Sequence, residues 1–289
     1  MSPRVLVTGA SSALGRAIGR RLRSTGYRSV GTVRSSRLGL SLPMFDSVIA
    51  LDIENGDLQH QLKEGFDAII HAAATVHGPR EWLMQVTGLG TEALARAAID
   101  RGIPRLVHVS STSIYGKVVT SQLSSETPVF PQTDYGVAKW AAECYLHHLQ
   151  GQISSVSVRS PAIVGAQVSP HFLQRMRNLM QANIPVIRAS HPDFLFNNVI
   201  HEDTLAEFLV RLAVTHSDGF KAFPVGALQD VRLQELLSFM SEASNYMGQV
   251  VWLEEAGPPF SINLDDALNL GFRPLTALES IRRWTHDWH

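Results

Sequence analysis

The sequence predicts an α/β protein built on a doubly wound parallel sheet, with a smaller C-terminal lobe. Three observations predict it. Short runs rich in Val and Ile alternate with helical patterns through the first half of the chain, the first run turns into a helix through a glycine-bearing loop, and the alternation loosens after Pro161. Strand, helix, strand repeated in this way implies parallel pairing, with helices covering both faces of the sheet.

In order, the strand-like runs are Val5 to Val7, Ser29 to Val33, Val48 to Leu51, Ala68 to His71, Leu106 to Ser110 and Val156 to Arg159. Helical patterns occupy Leu14 to Thr25, Glu81 to Arg101 and Asp134 to Leu149, the last with Asp134 as its expected N-cap. Gly26, Gly102 and Gly151 follow these helices where a left-handed C-terminal residue is wanted. Beyond Pro161, helices are expected over His171 to Ala182, Leu205 to Val214, Val231 to Ser244, Leu264 to Leu270 and Ala277 to Trp288, with a break at Gly257-Pro-Pro. The reading divides the chain into a dinucleotide-binding core, 1–165, and a mainly substrate-side lobe, 166–289, some of whose segments return to the core.

Composition narrows the partners. With 25 basic and 26 acidic residues in 289, the net charge of -1 offers no electrostatic basis for binding nucleic acid or an anionic membrane. No stretch approaches the roughly eighteen uninterrupted apolar residues of a membrane span, and the N-terminus lacks the regions of a signal peptide, so a cytoplasmic protein is expected. Cys144 stands alone and has no disulfide partner. None of the 12 histidines has metal-ligand spacing, so no metal is expected.

The first loop, Thr8-Gly9-Ala10-Ser11-Ser12-Ala13-Leu14-Gly15, has the form of a pyrophosphate-binding turn. Gly9 supplies the tight turn, Gly15 the close approach of helix and strand, and the N–H groups at the helix start suit an anion. Ser12 occupies the place of a middle glycine. Its hydroxyl suits an N-cap or a phosphate oxygen. At the end of the second strand run stand Arg34, Ser35, Ser36 and Arg37, with no carboxylate before Asp46. A 2'-phosphate fits paired guanidinium hydrogen bonds, so NADP(H) is favoured and NAD(H) remains the alternative.

Tyr135 and Lys139 are four residues apart and therefore share a helical face. A phenol of ordinary pKa is a poor base at neutral pH, and a neighbouring ammonium is expected to lower it.

The strand Leu106 to Ser110 leads into Ser111-Thr112-Ser113-Ile114-Tyr115-Gly116. Together with Thr8-Gly9, Gly15, Asp52, His71-Ala72-Ala73-Ala74, Tyr135 and Lys139, it resembles the extended short-chain dehydrogenase/reductase family of nucleotide-sugar epimerases, dehydratases and ketoreductases. The likeness continues through Arg159-Ser160-Pro161-Ala162-Ile163-Val164-Gly165, Phe196 to Asp203 and Leu270 to Pro274.

The resemblance implies a Rossmann fold, with Ser111, Tyr135 and Lys139 as the catalytic set. It places Ser11 to Gly15, Asp52, Ile53, His71 to Ala74, Val109, Pro161 and Ile163 along the cofactor. Thr75, Thr112, Ser113, Arg175, Asn197 and Asn198 fall on the substrate side, the two asparagines serving either substrate or loop capping. A homodimer through the Tyr135-bearing helix is also implied. Three departures stand out: Ser12, Thr87 where the family's helix carries asparagine, and Thr112-Ser113 where sugar dehydratases carry an Asp-Glu pair. The last disfavours dehydration.

The function expected is NADPH-dependent reduction of a carbonyl; the resemblance implies that this is the 4-keto group of a nucleotide-linked deoxysugar. An NAD-retaining nucleotide-sugar epimerase and a non-catalytic NADP-sensing regulator are the alternatives.

Overall fold

A computed structural model describes residues 2–55, 58–62, 65–166, 171–215, 217–253 and 260–286. The Gly257-Pro-Pro break, residues 167–170 and the expected end of the last helix at Trp288 lie outside these. In chain order the elements are β1 (Arg4–Thr8), α1 (Ala13–Ser24), β2 (Arg28–Val33), β3 (Ser47–Ala50), α2 (Leu58–Gln61), β4 (Ala68–His71), α3 (Arg80–Leu83), α4 (Gly90–Asp100), β5 (Arg105–Ser111), β6 (Gln122–Leu123), α5 (Asp134–His148) and β7 (Ser154–Ser160). They continue as β8 (Ala162–Val164), α6 (Phe172–Gln181), β9 (Val186–Ala189), β10 (Leu195–Phe196), β11 (Val199–His201), α7 (Glu202–Val214), β12 (Phe220–Pro224), β13 (Val231–Arg232), α8 (Leu233–Ala243), β14 (Gln249–Trp252), β15 (Ser261–Ile262), α9 (Asp265–Asn269) and α10 (Ala277–His286).

Contacts gather the chain into two units. Residues 1–117, 127–159 and 205–223 form the first, and 118–126, 160–204 and 224–289 the second. The seven-stranded sheet has the order β12-β7-β5-β4-β1-β2-β3 and contains every strand read from the apolar runs. β12 joins it from a segment, Phe-Lys-Ala-Phe-Pro, that carries no strand alternation long enough to announce itself. The pairs β1–β2, β1–β4, β2–β3 and β4–β5 are parallel, with Val7 opposite Gly31 and Thr8 opposite His71. Strand order reverses between β1 and β4, the crevice where such sheets bind ligands. Leu6, Val30, Ile69, Leu94, Leu106 and Leu146 are among the apolar side chains buried on this sheet.

Several local expectations are corrected. The long helix expected from Glu81 to Arg101 is interrupted by a π-helical turn, Met84–Leu89, between α3 and α4. Thr133, not Asp134, caps α5: its hydroxyl accepts from the Gly136 N–H at 3.1 Å. The segment read as helix from Val231 starts as a short strand paired with β10, and the helix begins at Leu233. Gly26 and Gly102 take left-handed φ of 72° and 64°, but Gly151 does not. After α5 the chain instead turns through a Gln152 N–H to Leu149 carbonyl bond of 2.8 Å.

The second unit has its own core, with Leu173, Met176, Leu236, Met240, Ile281 and Trp284 among its buried side chains. Its short parallel pair β8–β11 sets Ile163 opposite Ile200. Among the described residues no helix is long and apolar enough to cross a membrane, and no group of three or more His, Cys, Asp or Glu side chains is placed to hold a metal.

Candidate active site

The first unit holds a cavity of about 270 Å³ at the crevice beside β1. It is lined by the turn residues Gly9, Ser11 and Ser12, by Arg34 and Arg37, and by a wall segment, Ala72, Ala73, Ala74 and Thr75. Gly9 has φ of 71°, and a Cβ there would lie 2.9 Å from the Ala72 carbonyl carbon. The turn and the wall therefore meet only because Gly9 has no side chain. At Gly15 an added Cβ would stand 2.2 Å from the Gly9 carbonyl oxygen, so the helix start folds directly onto the turn.

Ser12 is the N-cap of α1. Its hydroxyl accepts from the Gly15 N–H at 3.0 Å and donates to the Gly9 carbonyl at 2.8 Å. The group therefore holds the turn shut rather than standing free for a phosphate. Ala13 and Leu14, first in the helix, are left with backbone N–H groups that no helical carbonyl can reach. No acidic residue stands in this first turn. Turn, helix start and arginines thus suit an anionic dinucleotide, and Gly9, Ser11, Ala13, Leu14, Arg34 and Arg37 are the groups that would hold it.

Ser35 and Asp52 were expected at the cofactor but are spent on each other. The Ser35 N–H donates to the Asp52 carboxylate at 2.8 Å and its hydroxyl donates to the other carboxylate oxygen. Neither lines the cavity. The pair clamps the short turn Ser35–Arg37 that carries the arginines, and the Arg37 guanidinium reaches the Ser11 hydroxyl at 3.5 Å. Ile53 lines the cavity.

His71, read as a cofactor neighbour, is instead fully buried beneath the wall. Its Nδ1 is 2.7 Å from the Thr8 hydroxyl and its Nε2 3.0 Å from the Thr91 hydroxyl. The Thr91 hydroxyl donates to the Thr87 carbonyl at 2.6 Å, so it accepts from His71 Nε2–H, and Nδ1 accepts from Thr8. Thr8 in turn accepts the Ala73 N–H at 3.2 Å. Burial, and secondarily Lys139, lower the His71 pKa to about 3, so the ring is neutral. Thr87, the departure from the family's asparagine, is buried in the π turn and receives the Thr75 N–H at 3.5 Å.

Ser111 and Tyr135 come together closely enough for the Ser111 side chain to act on the Tyr135 phenol. Gly136 permits it, because a Cβ there would fall 2.6 Å from the Ser113 carbonyl oxygen. Only a glycine lets the first turn of α5 rest on the Thr112–Tyr115 turn, whose N-cap is Ser111 itself, accepting from the Ser113 N–H at 3.2 Å. The Ser113 hydroxyl oxygen is buried with no hydrogen-bond partner.

The electrostatics reverse one expectation. Burial raises the Tyr135 phenol to about 12, with the nearby Ser111 side chain pulling the other way. The Lys139 side-chain nitrogen stands 6.0 Å from the Tyr135 ring centre and donates to the Val109 carbonyl at 2.6 Å, and the net shift of the phenol is upward. Burial lowers Lys139 itself to about 7, opposed by Glu143. Glu143 accepts from Ser110 at 2.5 Å and from Arg159 at 2.8 Å, and Arg159 also donates to the Tyr115 hydroxyl at 2.7 Å. This buried network braces the strand end and the middle of α5.

The remaining expected residues belong to the second unit. Asn197 is buried and its amide is consumed internally: it donates to the Ala227 and Ile262 carbonyls and accepts the Ile262 N–H at 2.8 Å. The loop role therefore replaces the substrate role for this residue. The Asn198 side-chain oxygen is buried without a partner. Arg175 lines a cavity of about 550 Å³ with His171, Gln174 and Arg177. Pro161 is half-buried, and the Ile163 carbonyl is 3.1 Å from His171 Nε2.

Sequence reasoning missed Thr32, Val33, Leu51, Glu54, Trp82 and Val86, all on the cavity lining of the first unit. Two signals pointed there: Thr32, Val33 and Leu51 lie at the C-terminal ends of parallel strands, and Trp82 and Val86 are a helical turn apart.

A parallel sheet with a glycine turn at its reversal point, and a serine, tyrosine and lysine on the adjoining strand and helix, define an NAD(P)-dependent enzyme of the extended short-chain dehydrogenase/reductase group. The model of the NAD dependent epimerase/dehydratase family matches residues 5–210, and the chain belongs to that family. It is 32% identical over 197 residues to the dTDP-6-deoxy-L-talose 4-dehydrogenase (NAD(P)(+)) of Kitasatospora kifunensis, covering 65% of this chain and 60% of that protein. Among solved structures, MoeE5 in complex with UDP-glucuronic acid and NAD has a TM-score of 0.81 at 22% identity, covering 99% of this chain and 98% of the other. UDP-glucose 4-epimerase from Thermotoga maritima, with UDP-glucose, has a TM-score of 0.80 at 16% identity, covering 99% and 98%. These two likenesses concern the fold.

Proposed function

We propose that the protein is an NADPH-dependent carbonyl reductase acting on the 4-keto group of a nucleotide-linked deoxysugar. The observation that carries the cofactor choice is the pair of exposed guanidiniums, Arg34 and Arg37, on the cavity lining, beside a turn whose carboxylate partner, Asp52, is already taken up by Ser35; with Glu54 on the same lining, the two guanidiniums outnumber the one carboxylate there. A ribose 2'-phosphate matches two guanidinium forks.

A bound nicotinamide supplies the hydride. Ser111 orients the carbonyl oxygen through its hydroxyl, and Tyr135, kept protonated by burial at neutral pH, delivers a proton to that oxygen. Lys139, lowered to about 7 and so partly charged at neutral pH, would offer its N–H groups to the cofactor ribose. At neutral pH the phenol carries its proton, which is the form that reduction of a carbonyl requires. The likeness to a 4-dehydrogenase of a dTDP-6-deoxysugar supports the substrate class. Thr112 and Ser113 in place of an acid pair argue against dehydration.

The test is calorimetric titration with NADPH and NADH. NADPH is expected to bind more tightly, and Arg34→Ala to remove that preference by roughly tenfold or more, the loss of one charge-assisted pair. Equal or tighter NADH binding by the unaltered protein would overturn the cofactor assignment. Tyr135→Phe is expected to lower turnover of a 4-keto substrate by about 10²–10⁴-fold with cofactor affinity unchanged.

A further inference from the structure

Behind the catalytic lysine lies a buried pair of imidazoles that the proposed chemistry does not use. His71 on β4 and His108 on β5 are both fully buried, with ring centres 5.7 Å apart and planes inclined at 25°. Both nitrogens of His71 are committed to Thr8 and Thr91, as above. His108 has Nδ1 3.0 Å from the Ser157 hydroxyl and Nε2 3.4 Å from the Lys139 ammonium.

An ammonium has three donors and no lone pair. Facing one, His108 Nε2 must be bare, so its proton is on Nδ1 and is donated to Ser157. The tautomer is therefore dictated by Lys139. At 3.4 Å the contact is long, so it steers the ammonium more than it anchors it; the anchor is the Val109 carbonyl at 2.6 Å.

We propose that His108 is a positioning residue for Lys139: a neutral ring whose bare Nε2, together with the Val109 carbonyl, directs the ammonium and leaves one N–H free for the cofactor ribose. The groups facing the ammonium are His71 from β4, His108 and the Val109 carbonyl from β5, and Tyr135 and Glu143 from α5, with Glu143 held by Arg159 of β7. Burial lowers His108 well below its ordinary value, with Lys139 and His71 acting in the same direction, so it stays an uncharged acceptor. Replacing it by an apolar ring removes one of the two acceptors and deepens the desolvation of Lys139. Both changes favour the neutral amine.

The inference rests on the reading of Lys139 as a charged group serving the cofactor, and the experiment separates the two. The chain has four lysines, Lys63, Lys117, Lys139 and Lys221, so ε-carbon NMR of labelled protein resolves their titrations, with Lys139→Met identifying the signal. His108→Phe is expected to lower the Lys139 titration point by about one pH unit, and His108→Asn, which restores an acceptor, to recover most of it. NADPH affinity at neutral pH should fall several-fold in the Phe variant and recover in the Asn variant. Should the Phe variant fail to fold, Ser157→Ala takes its place. It deprives Nδ1–H of its acceptor, and the Lys139 titration should move in the same direction. A Lys139 titration unmoved in a folded His108→Phe or Ser157→Ala protein overturns the proposal. NADPH affinity unchanged in Lys139→Met would instead overturn the role given to Lys139, leaving the NMR result on His108 to stand by itself.

Discussion

The Ser12 hydroxyl accepts from Gly15 and donates to Gly9, so it closes a turn that a third glycine would leave looser. Replacing it tests whether that is its whole role. Ser12→Ala is expected to cost about 1 kcal/mol in denaturant unfolding, and Ser12→Gly only a few tenths. NADPH affinity in the glycine variant should equal that of the unaltered protein, because the hydroxyl is not directed at a phosphate. A large loss of binding there would show that it is. Ser35 and Asp52 carry the same lesson: residue types suited to a ribose or an adenine were legible, but their engagement with each other across 17 positions was not.

At the scale of elements, the proposed catalytic pair, Ser111 and Tyr135, depends on how α5 begins. Two residues set that start in different ways: Thr133 caps the helix through its hydroxyl, and Gly136 lets the helix touch the turn after β5. Thr133→Ala should destabilise by about 1 kcal/mol, with little effect on turnover in the folded protein. Gly136→Ala should cost about 1–3 kcal/mol through overpacking against the Ser113 carbonyl and Pro131. It should also lower turnover on the order of a hundredfold, the cost of displacing a catalytic group by about 1 Å. Comparable turnover in the two variants, measured where both are folded, would remove Gly136 from the account of the site. The π turn before α4 works similarly, since it brings Thr87 inward to meet Thr75, and Gly90 leaves room for the Ile53 side chain, which a Cβ would meet at 2.5 Å.

For the whole molecule, three buried basic groups share one sign. His71, lowered to about 3 from 6.5, is neutral in the folded chain and protonated in the unfolded chain between those values. His108 is lowered in the same direction, and Lys139 behaves likewise between about 7 and 10.5. Wherever the unfolded chain binds more protons, stability rises with pH. Unfolding free energy should therefore fall as pH drops below 6.5, and His71→Asn should flatten that slope in urea titrations across the acid range; an unaltered slope would contradict the assignment. By itself, the sequence determined what is local or periodic: the alternation that forms the sheet, the glycine turn after β1, and the spacing of Tyr135 and Lys139. Those features follow from neighbours within a strand or a helical turn. Tertiary structure alone decided that His71 supports the cradle from below, that Asn197 serves Ile262 across 65 positions, and that burial holds Tyr135 up and Lys139 down. The reason is that hydrogen-bond partners distant in sequence, and removal from water, exist only once the chain has closed on itself.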